Sequence, residues 1–267
     1  MRKSVLITGC SSGFGYLSAL KFARNGFKVY ASARNLEKDG IKKLKKIILK
    51  ENLQIEILKL DVTSQQDIDN ATKQIENLNV LINNAGYGLV GSVDSFSQKE
   101  VRNQMETNFF GAFAMIKSFL PLLKKSKNAK IINLSSLAGL VAAKNYGLYS
   151  SSKFALEALS SSLRGELKDF GVKVSLVNPG GFDTEFDKNT NTPPPAQDSK
   201  KFYDILTKII SKLKLRDPKR VVNLIYKVAN QKSPKFHYII GVDASLITFL
   251  KKILPDRVSM WVMERVS

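Results

Sequence analysis

The N-terminal segment joins a short apolar run to a glycine-rich turn and then to a helical pattern, and this order constrains the fold more than any other feature. Residues 5–7 (Val-Leu-Ile) predict a buried strand, and the apolar spacing of residues 17–23 indicates a helix. The turn between them carries Gly9, Gly13 and Gly15. Glycines let a phosphate approach the backbone, and a helix N-terminus offers N–H groups and a positive dipole end. This segment predicts a dinucleotide site, with an ordinary tight turn as the alternative.

The rest of the chain repeats the alternation of strand and helix. Six such units without a linker or an internal repeat predict an α/β fold, a single doubly wound parallel sheet of about seven strands. The strands are predicted at 5–7, 27–33, 54–60, 79–82, 130–134, 172–177 and 238–241, and helices at 36–51, 98–125, 147–170, 199–213 and 217–230, among others.

Three parts of this domain are predicted to have different tasks. Residues 1–241 form the dinucleotide-binding and catalytic part, including a substrate lid at about 181–215, where Pro193-Pro194-Pro195 gives loop composition. Residues 242–267 form an amphipathic tail with an apolar stripe among basic residues. Packing of the tail on its own domain is preferred, and the alternatives are covering the substrate pocket, contact with another subunit, or docking on a membrane surface.

Composition removes several classes of function. The chain has one cysteine, Cys10, and one histidine, His237, so an internal disulfide is impossible and the usual zinc sites and histidine triads are not expected. No metal site is predicted. The predicted location is the cytoplasm. The net charge is +19, and residues 200–267 hold 15 Lys/Arg against 5 Asp/Glu. An anionic membrane or nucleic acid would suit this charge, but no nucleic-acid motif is present, and a solvated surface is preferred.

The end of the second predicted strand bears on which dinucleotide is bound. An acidic side chain there holds the adenosine ribose 2′-hydroxyl of NAD, whereas an arginine accommodates the 2′-phosphate of NADP. The strand ends in Arg34, and Glu37 already belongs to the next helix. NADP(H) is therefore preferred over NAD(H), with an exposed surface arginine as the alternative. Asp61, after the third strand, either accepts a hydrogen bond from the adenine or stabilises its own turn.

Ser136, Tyr149 and Lys153 lie in one short segment, and the Tyr-x-x-x-Lys spacing puts the last two on one helix face. An ammonium beside a phenol favours the phenolate and lowers the tyrosine pKa. Such a tyrosine can act as general acid and base near neutral pH. The alternative is an ordinary Tyr–Lys pair on a helix surface. Asn108, in an apolar helical segment, must find hydrogen-bond partners, as a structural bridge or as part of a proton path.

Several short motifs occur in order along the chain: Thr8-Gly9-xxx-Gly13-x-Gly15, Asn83-Asn84-Ala85-Gly86, Asn108, Ser136, Tyr149-xxx-Lys153 and Pro179-Gly180-xxx-Thr184. Together they resemble the short-chain dehydrogenase/reductase family from Lys3 to about Gly241. Residues 10–15, 32–35 and 179–184 are similar to the branch of hydroxysteroid and retinol dehydrogenases and its bacterial relatives. Phe14 stands where isoleucine is more usual, a change that should leave phosphate binding intact.

The resemblance implies a role for each candidate catalytic residue. Tyr149 would be the general acid/base, and Ser136 would hydrogen-bond the substrate oxygen. Lys153 would lower the Tyr149 pKa and hold the nicotinamide ribose, and Asn108 would position a water that relays protons to Lys153.

The resemblance also implies a cofactor site at the carboxyl ends of the strands. Ser12 and Arg34 would meet the 2′-phosphate, and Thr184 the nicotinamide carboxamide. The implied cofactor-binding set is Gly9, Ser11, Ser12, Gly13, Phe14, Gly15, Arg34, Asp61, Val62, Asn83, Ala85, Gly86, Tyr149, Lys153, Pro179, Gly180 and Thr184.

The predicted function is an NADP(H)-dependent oxidoreductase that interconverts a ketone or aldehyde and an alcohol on an apolar small molecule. The alternatives are a 3-oxoacyl thioester reductase of lipid synthesis and a catalytically silent dinucleotide-binding regulator. A homodimer or homotetramer is expected from the family resemblance.

Overall fold

The computed structural model describes residues 2–184, Thr190 and 217–255, apart from the side chain of Lys252. Within these residues seven parallel strands form one sheet in the order β3-β2-β1-β4-β5-β6-β7. The predicted doubly wound α/β fold is confirmed. The predicted helix at 199–213 and residues 256–267 of the tail lie outside the described residues, as does the predicted lid except for 181–184 and Thr190.

The strands and helices follow the predicted order, with ends that differ by a few residues. The strands are β1 Ser4–Ile7, β2 Lys28–Ala33, β3 Ile55–Lys59, β4 Val80–Asn83, β5 Lys130–Leu134, β6 Lys173–Pro179 and β7 His237–Ile240. The described α-helices are α1 Gly13–Arg24, α2 Asp39–Glu51, α3 Gln65–Gln74, α4 Gln98–Met105, α5 Gly111–Lys125, α6 Gly147–Glu166, α7 Lys219–Asn230 and α8 Val242–Ile253.

Alternate residues of the strands supply two apolar layers. In β1, Val5 and Ile7 join a buried cluster with residues of α1 and α7. Leu6 lies between them and joins a second cluster with residues of α3 and α5. Because successive side chains of a strand point to opposite faces, the sheet is covered by helices on both sides. Continuous burial along β1 and β4 follows from this arrangement.

The predicted helix at 98–125 is interrupted. It consists of α4, a π-helical turn at Glu106–Phe110, and α5. In the π-turn the Gly111 N–H bonds to the Glu106 carbonyl, five residues back. Such turns place one extra residue in a helix and occur frequently at functional sites. Asn108 lies in the middle of this one.

The sheet order fixes where a ligand can bind. The chain proceeds from β1 to β2 and β3 on one side, then crosses to β4 on the other side of β1. In open parallel sheets the crevice at such a reversal, outside the carboxyl ends of the strands, is the ligand site. The turns after β1, β4 and β5 all lead to this edge. No helix among the described residues is long and apolar enough to span a membrane.

Candidate active site

The glycine turn between β1 and α1 forms the floor of the crevice. Gly9 and Gly13 have φ of +73° and +54°, which side chains rarely adopt. A Cβ on Gly15 would lie 2.4 Å from the Gly9 carbonyl oxygen, so the turn is closed to any side chain there. The Ser12 side chain makes no capping hydrogen bond to α1. This glycine-lined helix N-terminus is a chemical fit for a pyrophosphate.

Two residues outside the predicted site set hold this turn in place. The Thr8 hydroxyl accepts hydrogen bonds from the backbone N–H groups of Asn84 and Ala85, both at 2.9 Å. The Asn84 side-chain amide donates back to the Thr8 and Gly9 carbonyls at 2.7 and 3.2 Å. The turn after β1 and the turn after β4 are therefore one bonded unit. Both residues belong to the quoted motifs, but their side-chain roles became visible only in three dimensions.

Two other predicted cofactor residues lie at the end of β4 and in the turn that follows it. Asn83 points into the sheet and donates to the Asn133 side chain at 2.8 Å, so only its backbone faces the crevice edge. A Cβ on Gly86 would lie 3.0 Å from Asn108 Oδ1 and 3.6 Å from Lys153 Nζ. Gly86 therefore lies where the turn after β4 meets the candidate catalytic residues.

Arg34 directly follows β2, where the 2′-phosphate of NADP was expected. Its side chain is 73% exposed, and its Nε is 3.9 Å from Asp61 Oδ2. Asp61 Oδ1 accepts from the N–H and hydroxyl of Thr63, so Asp61 bonds within its own turn. Val62 is buried against Gly111. Arg34 is thus a cation at the rim with room for an anionic partner.

Tyr149, Ser136 and Lys153 are brought together as predicted. Tyr149 and Lys153 are 6% and 5% exposed, although both lie on α6 beside the crevice. The Ser136 side chain lies close enough to the Tyr149 hydroxyl to lower the Tyr149 pKa by hydrogen bonding. Lys153 Nζ lies 5.8 Å from the Tyr149 ring centroid and donates to the Leu134 carbonyl at 2.8 Å. A hydroxyl pair and an ammonium therefore converge at the ends of β5 and α6.

The predicted direction of the Tyr149 pKa is wrong for this structure. Burial raises that pKa well above its ordinary value, and the Ser136 hydrogen bond offsets only part of the effect. Burial also lowers the pKa of Lys153 to about 8, with the Glu157 carboxylate opposing the shift. Desolvation is the largest cause of both pKa shifts, and the degree of burial cannot be read from spacing along a helix.

Asn108 connects the π-turn to α6. Its side chain donates to the Tyr87 carbonyl and the Ser152 hydroxyl, each at 2.9 Å, and accepts from the Tyr87 N–H at 3.1 Å. Ser152 in turn donates to the Tyr149 carbonyl at 2.7 Å. The bridging role considered for Asn108 is realised here. Ser152, which the sequence did not single out, adjoins Lys153 within a run of three serines.

The segment after β6 completes the edge of the crevice. A Cβ on Gly13 would lie 3.7 Å from the Thr184 Cβ, so this segment reaches across to the glycine turn. Gly181 N–H donates to Asp243 Oδ2 at 2.7 Å, and a Cβ on Gly180 would collide with that carboxylate. Asp243, in the first turn of α8, therefore fixes the Pro179–Gly181 turn and was missed by the sequence reasoning.

The chain matches the family model described as short chain dehydrogenase over residues 3–195. The chain belongs to the short-chain dehydrogenase/reductase family. The 3-ketodihydrosphingosine reductase of Bacteroides thetaiotaomicron is 34% identical to this dehydrogenase/reductase, over 97% of this chain and 96% of the relative. Short-chain dehydrogenase/reductase family 9C member 7 of Bos taurus is 32% identical, over 98% and 89%.

Solved structures agree with this family assignment. A short-chain dehydrogenase from Streptomyces avermitilis superposes with a TM-score of 0.84 at 27% identity, covering 98% of this chain and 96% of that chain. The structure of ElxO with NADP bound has a TM-score of 0.74 at 28% identity, covering 90% and 97%. This short-chain dehydrogenase/reductase is therefore an oxidoreductase, as its motifs predicted.

Proposed function

We propose that this protein is an NADP(H)-dependent oxidoreductase that interconverts a ketone or aldehyde and an alcohol. The observation that carries the proposal is the buried Tyr149 hydroxyl beside Ser136, with Lys153 close by, at the same sheet edge as the glycine turn. A dinucleotide on that turn would extend along the carboxyl ends of the strands toward this pair.

The four candidate catalytic residues have separate tasks in the proposed reaction. Bound NADPH supplies a hydride to the carbonyl carbon. Tyr149 donates its hydroxyl proton to the carbonyl oxygen, and Ser136 donates a hydrogen bond that stabilises the charge on that oxygen. Lys153 binds the nicotinamide ribose and stabilises the phenolate that Tyr149 becomes. Asn108 holds α6 through Ser152 and positions a water for return of the proton by way of Lys153.

The preference for NADP(H) over NAD(H) rests on Arg34. Its guanidinium at the end of β2 would pair with the 2′-phosphate, with Ser12 nearby on the glycine turn. The same site would hold the other proposed cofactor contacts, from Ser11 and Phe14 to Asp61, Val62 and Thr184. Arg34→Asp should reverse the ratio of kcat/KM for NADPH and NADH, since an acidic side chain repels the phosphate and binds a free 2′-hydroxyl. An unchanged ratio would refute the cofactor preference.

The substrate is proposed to be apolar, with a long chain as the leading class. The first relative named above is a 3-ketodihydrosphingosine reductase, whose substrate is a ketone on a long alkyl chain. A screen of NADPH and NADH oxidation should include 3-ketodihydrosphingosine, steroid ketones, retinal, aliphatic ketones and acetoacetyl thioesters. Turnover of the thioester alone would favour the alternative, a 3-oxoacyl thioester reductase. Tight NADPH binding without turnover of any carbonyl would favour a silent regulator.

Peripheral contact with a membrane is proposed for α8. Four apolar side chains on one face of this helix are each more than half exposed: Val242, Leu246, Phe249 and Ile253. Asp243 and Lys251 bond α8 to Gly181 and to the Leu140 carbonyl, so this helix lies against the segments that follow β6 and β5. With a net charge of +19, an anionic bilayer is the surface that fits it.

Assembly and location are proposed from the family and the composition. A homodimer or homotetramer would bury exposed aromatic side chains such as Phe113 and Phe154, which are 43% and 40% exposed. Light scattering after size exclusion at micromolar concentration tests this, with a monomer as the contrary result. A cytoplasmic location, without nucleic-acid binding, is proposed.

A further inference from the structure

A carboxylate outside the proposed catalytic set lies one helical turn beyond Lys153. Glu157 is on α6, and its side chain is only 11% exposed. Its two oxygens have different partners. Oε1 accepts from Asn178 Nδ2 at 2.6 Å, and Oε2 lies 2.8 Å from His237 Nε2. A buried charge is costly without partners, and here each oxygen of the Glu157 carboxylate has one.

Asn178 connects this carboxylate to the candidate proton donor pair. Asn178 is fully buried in β6, and its Nδ2 also lies 3.2 Å from the backbone carbonyl oxygen of Ser136, to which it donates. The turn that follows Ser136 packs directly on the carboxylate, because a Cβ on Gly139 would lie 3.1 Å from Glu157 Oε1. The position of the Ser136 backbone is therefore coupled to Glu157 from two sides.

The charge of Glu157 acts on Lys153. It raises the Lys153 pKa, against the larger lowering caused by burial. The titratable groups that interact with Glu157 are Lys153 on α6 and His237 from β7. The acidic group of α8, Asp243, contacts Gly181 instead.

We propose that Glu157 is a positioning residue of the reaction: through Asn178 it fixes the segment that carries Ser136, and it holds a negative charge one helical turn from Lys153. His237 interacts with the second oxygen of the Glu157 carboxylate, Oε2, and so orients that carboxylate. This inference rests on the proposed function, which assigns Ser136 and Lys153 their tasks.

Three variants separate the two effects. Glu157→Gln keeps an oxygen that accepts from Asn178 and places an amide donor toward His237, but it removes the negative charge. Because that charge raises the Lys153 pKa, the midpoint of the Lys153 titration should move to lower pH. The kcat of this variant should then fall on the order of tenfold at pH 8.5 and little at pH 6.5. Asn178→Ala should lower kcat by a similar factor at every pH and leave the Lys153 titration in place. Glu166→Gln, at an exposed position of the same helix, is the control and should change neither quantity.

The Lys153 titration is to be followed by NMR of ¹³C-lysine-labelled protein without cofactor, assigned with Lys153→Met, and kcat by NADPH oxidation. An unmoved titration in Glu157→Gln, or an unchanged kcat in Asn178→Ala, would overturn the inference. Failure of the wild-type protein to reduce any carbonyl compound would instead refute the proposed function. The NMR titration does not require turnover, so it still tests the effect of Glu157 on Lys153.

Discussion

At the scale of residues, burial shifts the protonation of two groups of the candidate site. It favours the neutral hydroxyl of Tyr149 and the neutral amine of Lys153 over their charged forms. Tyr149 and Lys153 are both nearly inaccessible, and desolvation is the first cause of both pKa shifts. A bound dinucleotide and substrate would add partners for the charged forms. We therefore expect cofactor binding to favour the ammonium of Lys153.

The pH dependence of cofactor binding is the first test at this scale. With a Lys153 pKa of about 8, the ammonium is present below pH 8 and is lost as pH rises through that value. NADPH affinity, measured by fluorescence titration, should therefore weaken between about pH 7 and pH 9. Lys153→Met should bind more weakly and lose this limb of the profile. Persistence of the limb in the variant would show that another group causes it.

Ser136 is the second test, because its hydroxyl is proposed to hydrogen-bond the substrate oxygen. Ser136→Ala should lower kcat on the order of 100-fold, as expected for one donor to a developing negative charge. NADPH affinity should change by less than about twofold, since the serine contacts the substrate rather than the cofactor. Ser135→Ala, at the neighbouring position, is the matched control. Equal losses in the two variants would contradict the assignment.

The four candidate catalytic residues were predicted from sequence because each is a distinct residue type in a recognisable motif. The interactions that hold them were not predictable. The Glu157–Asn178 bond joins residues 21 positions apart, and the Thr8–Asn84 bonds join residues 76 positions apart. Periodicity reports only neighbours three or four residues away on a helix, so contacts made across the sheet leave no such signal.

At the scale of elements, two local departures from regular structure shape the site: the glycine turn before α1 and the π-turn between α4 and α5. The glycine turn was predicted, since glycines mark positions with positive φ or close backbone approach. The π-turn was not, because one extra residue hardly alters an apolar pattern that continues on both sides of it.

The glycine turn gives a stability prediction. Gly15→Ala places a Cβ 2.5 Å from Asn84 Nδ2 as well as close to the Gly9 carbonyl, so it should destabilise the protein by about 1–3 kcal/mol and weaken NADPH binding. Gly165→Ala, in α6 with open space around the added methyl, should instead stabilise by about 0.5–1 kcal/mol. Urea unfolding of both variants measures this, and equal stabilities would contradict the crowded turn.

At the scale of the whole molecule, a strongly basic chain carries an exposed apolar face on α8, a helix that is bonded to the segments after β5 and β6. The alternation of strands and helices, and with it the doubly wound parallel sheet, followed from the sequence, whereas the order of the strands and the two apolar layers became visible only in the structure. The outward direction of the α8 apolar face did not follow from the sequence either, since a buried and an exposed stripe look alike in sequence. Such a face suits an enzyme whose substrate partitions into lipid.

The α8 face predicts binding to anionic vesicles. The wild-type protein should co-sediment with vesicles containing phosphatidylserine and be released as salt rises, because part of the attraction is electrostatic. Changing both Leu246 and Phe249 to Ser should weaken binding by about tenfold or more. Leu49→Ser, at an even more exposed position on α2, should have no effect. Absence of wild-type binding would refute the membrane proposal and leave the chemistry untouched.

The most direct test of the proposed chemistry is NADPH oxidation by Tyr149→Phe, measured with the best carbonyl substrate from the screen and alongside NADPH binding. Removing one hydroxyl should lower kcat by a factor on the order of 10³ and leave the NADPH dissociation constant within about twofold of wild type. A variant that retains most of its turnover would contradict the central claim that Tyr149 is the proton donor. Loss of turnover together with loss of NADPH binding would equally contradict that role.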